Sequence, residues 1–81
     1  MERTIKTLKK AMQRGEVVVR EVDEYLCDKG FFVCDVGTRK LIYETPDTNG
    51  YICVTFECEL GIPIVNDVYS ICKGGSNSWI E

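Results

Sequence analysis

The residues of this chain that could carry chemistry fall into three groups: cysteines, a carboxylate cluster and a cationic stripe. The cysteines are Cys27, Cys34, Cys53, Cys58 and Cys72, at spacings C-x6-C, C-x18-C, C-x4-C and C-x13-C. None of these is the C-x2-C knuckle of a structural zinc site, and the chain has no histidine to complete one. No metal ligand set and no cofactor site is therefore assigned. Free cysteine commonly packs as a small hydrophobe. On the strand pattern below, Cys34 is expected on a core face, Cys72 on the apolar face of a last helix, and Cys58 in the open between Glu57 and Glu59. A thiol- or zinc-dependent activity is the third-ranked reading.

Acid–base catalysis has little to draw on. The side chain that titrates nearest neutrality is missing, and Asp or Glu would need a pocket to move its pKa. No nucleophile–base pair can be drawn. Gly74-Gly75 lacks the spacing and the Lys-Ser/Thr of a phosphate-binding loop. The protein is expected not to be an enzyme. Glu21, Asp23, Glu24 and Asp28 instead read as one acidic helix face that could meet a basic surface on another protein. Trp79, followed by Ile80 near the end of the chain, is either folded back on the domain or an anchor for a partner.

The cationic group is Arg3, Lys6, Lys10 and Arg14, recurring at three and four residues, a stripe that could follow a phosphate backbone. With Lys9, residues 1–14 carry five basic side chains against Glu2, a net of +4, while residues 15–81 carry −7. That acidic remainder would repel a duplex. Direct nucleic-acid binding is accordingly the second reading, behind a protein partner with a basic surface.

These groups must be positioned by few elements. With 81 residues and 44% apolar content the chain allows one domain, expected over 1–75 with a tail over 76–81. No apolar run approaches the ~20 residues that span a bilayer. The first residues are amphipathic and lack the apolar core of a signal peptide. A cytoplasmic protein with reduced thiols and no membrane association is expected.

Ile5, Leu8, Ala11 and Met12 predict a first helix ended by Gly15. Val18, Val22, Tyr25 and Leu26 predict a second, from about Val18 to Lys29, although Val17-Val18-Val19 favours an extended start. Strands follow over Phe31–Val36, Arg39–Glu44 and Tyr51–Glu57, with a hairpin turn at Gly37-Thr38 and a loop at Pro46–Gly50. That register pairs Cys34 with Leu41, Phe32 with Tyr43 and Asp35 with Lys40. It gathers Phe32, Cys34, Val36, Leu41, Tyr43, Ile52, Val54 and Phe56 on the core face. Ile62–Lys73 reads as a helix from Ile64, Val68 and Cys72, with a fourth strand as the alternative. Val33, Ile42 and Cys53 lie on the outer face and could support a homodimer.

The fold class is thus α+β: one or two N-terminal helices on a three-stranded antiparallel meander, closed by a C-terminal helix or fourth strand. In size and composition the chain is similar to small acidic accessory proteins of phages and mobile elements, including inhibitors of host defence systems. That likeness implies a non-enzymatic protein that binds another macromolecule and inhibits or modulates it.

Overall fold

The computed structural model describes residues 2–45 and 50–72. The elements in chain order are α1 (Glu2–Arg14), α2 (Val19–Asp28), β1 (Phe32–Gly37), β2 (Lys40–Glu44), β3 (Gly50–Glu59) and β4 (Ile62–Cys72). The four strands form one antiparallel sheet in the order β1-β2-β3-β4. The architecture is α+β, two helices and then a meander.

Apolar side chains at helical spacing turn one stripe of each helix onto the sheet. Leu8, with Ile5 and Met12 beside it, faces inward from α1; Val22 and Leu26 do so from α2. They meet Tyr43, Ile52, Val54, Val65 and Val68 in a single core. At about 25 cal/mol per Å² of apolar surface removed from water, this contact is the main source of stability. Residues 15–18 do not merely link the helices. The Val65 N–H donates to the Val17 carbonyl at 2.7 Å, and Val18 bridges to Ile64, so the linker closes part of the β4 edge. α2 ends at Gly30, whose φ of +92° is the left-handed stop that glycine adopts without strain.

Three sequence expectations change. The segment Ile62–Cys72 is a strand, not a helix. Its β-branched residues Ile62, Ile64, Val65, Val68 and Ile71 favour a pleated surface. Pro63 is tolerated because β4 is an edge strand. The helix-like spacing has a definite origin. The register slips between Thr55 and Phe56, leaving Asn66 as an extra residue opposite them. This bulge places Val65 and Val68, three apart, on the same core face.

The β1–β2 turn sits one residue later than expected, at Thr38-Arg39, with Arg39 at φ 57° and Gly37 paired to Lys40. That turn pairs Val36 with Leu41 and Asp35 with Ile42, and a second bulge, at Cys34, then sets Val33 opposite Tyr43. The expected pairs Cys34–Leu41, Phe32–Tyr43 and Asp35–Lys40 do not form.

The core face holds through Tyr43, Ile52 and Val54, with Leu41 packed against them, but Phe56 is only half-buried and outside the core cluster, and β1 contributes nothing buried. Val33 and Val36 share the side of Tyr43 and Leu41, yet the core cluster stops at β2 and both remain exposed. Phe31, just before the strand, is buried in place of Phe32. The loop expected at Pro46–Gly50, Gly50 excepted, and the tail with Trp79 lie outside the described residues.

Candidate functional site

The structure divides the acidic face of α2 into two pairs with different work. Glu21 stands at the third helical position, and its Oε1 accepts the N–H of Val18 in a long 3.4 Å contact, a local tie at the helix start. Asp23 is half-buried and accepts the hydroxyl of fully buried Tyr43 at 2.7 Å. Burial first, and then the bond to Asp23, push the Tyr43 phenol far above its ordinary value. Both residues serve the fold. Glu24 and Asp28 remain exposed, one turn apart on the solvent side. Beside them the Lys29 ammonium lies 5.4 Å above the Tyr25 ring.

The cationic stripe is exposed along its whole length: Arg3, Lys6, Lys10 and Arg14, with Lys9, face solvent on α1 while Ile5, Leu8 and Met12 face the sheet. The N-terminal half of α1 and Ser70 of β4 bound a cavity of about 510 Å³, lined also by Glu2, Arg3, Ile5, Lys6 and Lys9. The Trp79 site lies outside the described residues.

The cysteines are dispersed. Cys27, Cys34 and Cys58 are exposed and Cys53 is buried. Among the described residues no group of three His, Cys, Asp or Glu side chains could hold a metal ion. No helix among them is long and apolar enough to cross a membrane. Cys34 was expected in the core; as the extra residue of the β1 bulge it is outside it. Cys53 has Ile42 on one side and Tyr69 on the other. Its hydrogen bond with Tyr69, then desolvation, raises the pKa of that phenol.

Sequence reasoning missed an exposed apolar group on the β3–β4 hairpin. β3 and β4 stay paired from Phe56–Val65 out to Glu59–Ile62, whereas β2 pairs with β3 between Tyr51 and Thr55 and the last bond on that side runs from the Phe56 N–H to the Arg39 carbonyl at 3.0 Å. The hairpin therefore runs about 10 Å beyond that last bond, at about 3.3 Å per residue. At its tip Leu60 and Gly61 both have positive φ, 53° and 81°. This pair of left-handed residues matches the twist of the flanking strands and makes the tight turn. Leu60 is 102% exposed and Ile62 52% exposed, and Glu57 and Glu59 on the same arm face solvent. The signal was present in Leu60-Gly61, which separates two β-forming runs, but the helical reading of Ile62–Lys73 concealed it.

Comparison with family models, with curated proteins and with solved structures found no match to this chain.

Proposed function

We propose that this is a non-enzymatic binding protein that presents the β3–β4 arm to a protein partner and inhibits or modulates it. The observation that carries this reading is Leu60. A left-handed backbone costs an L-residue about 1–2 kcal/mol, and a fully exposed leucine regains none of it by packing. A chain selected for stability alone gains nothing from leucine at this position. A partner pocket that buries Leu60 and Ile62 supplies the missing gain, since a few well-buried anchors carry most of the affinity of an interface. Glu57 and Glu59 flank the tip, so the complementary pocket is apolar with a basic rim. Glu24 and Asp28 on α2 extend the acidic surface, and the role of an accessory inhibitor fits a protein that works by occupying such a site.

Leu60→Asn tests this directly. Asparagine tolerates the left-handed turn better than leucine, so the variant stays folded while the anchor is lost. Tagged wild-type protein, Leu60→Asn and Glu57→Lys/Glu59→Lys are compared for capture of the same partner by mass spectrometry. Loss of that partner in both variants supports the reading; undiminished capture by Leu60→Asn refutes it.

One observation favours nucleic acid as a second reading: the cationic stripe of α1 is wholly solvent-exposed over a helix about 20 Å long. Binding of this kind weakens steeply with salt. Failure to bind duplex or single-stranded DNA or RNA at low ionic strength would dismiss it.

A further inference from the structure

The basic cavity and the acidic arm carry opposite charge, and the fold sets them at opposite ends of one strand. Arg3, Lys6 and Lys9 line the cavity of about 510 Å³ between α1 and β4, with Glu2 beside them. Ile5 and the long stems of the three cations give it an apolar wall, while their charged heads reach solvent. It is an apolar recess with a basic rim, within the roughly 300–1,000 Å³ that ligand pockets occupy. The arm is its counterpart. Between Phe56 and Asn66 it carries Glu57 and Glu59 and no basic residue, and it exposes Leu60 and Ile62 at the tip. Among the described residues no ion pair neutralises Glu57, Glu59, Arg3, Lys6 or Lys9.

Within one chain the two cannot meet. Ser70, which borders the cavity, is eight residues along β4 from Ile62, a separation of ~26 Å at about 3.3 Å per residue. β3 pairs with β4 along its whole length, so the arm cannot fold back. A second copy removes that obstacle. α1 packs on β4, so cavity and arm lie along the same side of the molecule. Two chains set antiparallel along this side bring each arm to the other's cavity, and the same contact forms twice. A two-fold pair of this kind closes on itself and leaves neither arm nor cavity unmatched. We infer that the cavity beside α1 receives the Leu60–Ile62 tip of a second copy of this chain, in a closed homodimer with Glu57 and Glu59 facing Arg3, Lys6 and Lys9. On the reading that the arm also docks on a partner, partner and second copy compete for it, and concentrated protein keeps its own arm covered.

Sedimentation equilibrium of the purified chain measures the pair directly. The expected result is a mass that rises from one chain to two with concentration, less readily as salt is raised. Leu60→Asn, Glu57→Lys/Glu59→Lys and Lys6→Glu/Lys9→Glu should each weaken the pair about tenfold or more. Mixing the two charge-reversed chains should restore a one-to-one pair, because every arm then again faces a cavity of opposite sign. A wild type that stays a single chain at every concentration overturns the inference. So does a dimer that none of the variants weakens, since another surface then holds it, and so does growth beyond two chains. A mixture that fails to pair, although both variants keep the wild-type circular dichroism, overturns it too. Lys6→Glu/Lys9→Glu leaves the arm intact, so partner capture by this variant reports on the proposed function separately. A monomeric wild type that captures a partner overturns only the homodimer; a dimer whose Lys6→Glu/Lys9→Glu variant captures none overturns only the proposed function.

Discussion

Replacing Tyr43 by Phe removes one oxygen from the centre of the protein and should create a pH-dependent stability difference. The Tyr43 ring is fully buried, and its hydroxyl donates at 2.7 Å to Asp23. A hydrogen bond to a charged acceptor is worth about 1.5–3 kcal/mol, so Tyr43→Phe should destabilise by about 2 kcal/mol at neutral pH. The phenol pKa is raised in the folded chain above its ordinary 10.0, by desolvation and then by the Asp23 bond. Below pH 10 both folded and unfolded chains keep this proton, and the contribution is present in full. Above pH 10 the unfolded chain releases it first and the folded chain retains it. Stability then falls by about 1.4 kcal/mol per pH unit from this one group. The advantage of the wild type over Tyr43→Phe should shrink at that rate and disappear near about pH 11.5. Groups that do not touch Tyr43 are common to both proteins and cancel in the difference. Urea denaturation followed by circular dichroism, at neutral pH and at steps between about pH 10 and 11, measures it. A difference that stays constant over that range would refute a phenol held protonated by Asp23 and burial. A neutral-pH difference below about 0.5 kcal/mol would show that the bond adds nothing.

Other consequences follow from packing and backbone. Leu26→Ala empties a fully buried site of the core and should cost about 3 kcal/mol, lowering Tm by roughly 12–24 °C; a loss under about 1 kcal/mol in calorimetry would mean the helix seats differently. Gly30→Ala should cost about 1 kcal/mol through backbone strain alone, because the added methyl would meet only Thr45 Oγ1, at 3.9 Å. Leu60→Asn should raise stability by up to about 1 kcal/mol while abolishing partner capture, and a destabilised variant would remove the strain argument. Charge reversal of Glu24 and Asp28 should leave stability within about 0.5 kcal/mol, whereas Asp23→Lys should lower it markedly, in the same urea assay.

Where the sequence pattern was regular, it was readable. Both helices and the strand face holding Tyr43, Ile52 and Val54 follow from simple spacing, because one face of each is buried and the other wet. The misreadings trace to two extra residues. Cys34 and Asn66 each break the two-residue alternation, so Val33 with Val36, and Val65 with Val68, share a face at a separation of three. At β4 this imitates a helix; at β1 it hides the turn position. A bulge is a choice made between strands, and a single strand does not announce it. The acidic cluster was legible as charge but not as function. Nothing in the sequence tells that Asp23 answers a tyrosine 20 residues away. Leu60 was visible only once β4 was known to be a strand.

The join between Val17 and Val65 has a consequence for the order of assembly. The residues it connects are 48 apart, and α1 and α2 both rest on β4, the last of the described strands to be made. During synthesis the helices leave the ribosome first, with their apolar stripes exposed and no surface yet to receive them. Short helices are marginal alone, so they gain lasting shape only when β4 closes against β3. Folding of this domain is therefore expected to be a single late event after release of β4, rate-limited by long-range strand pairing. A nascent chain stalled before Ile62 should remain protease-sensitive from end to end.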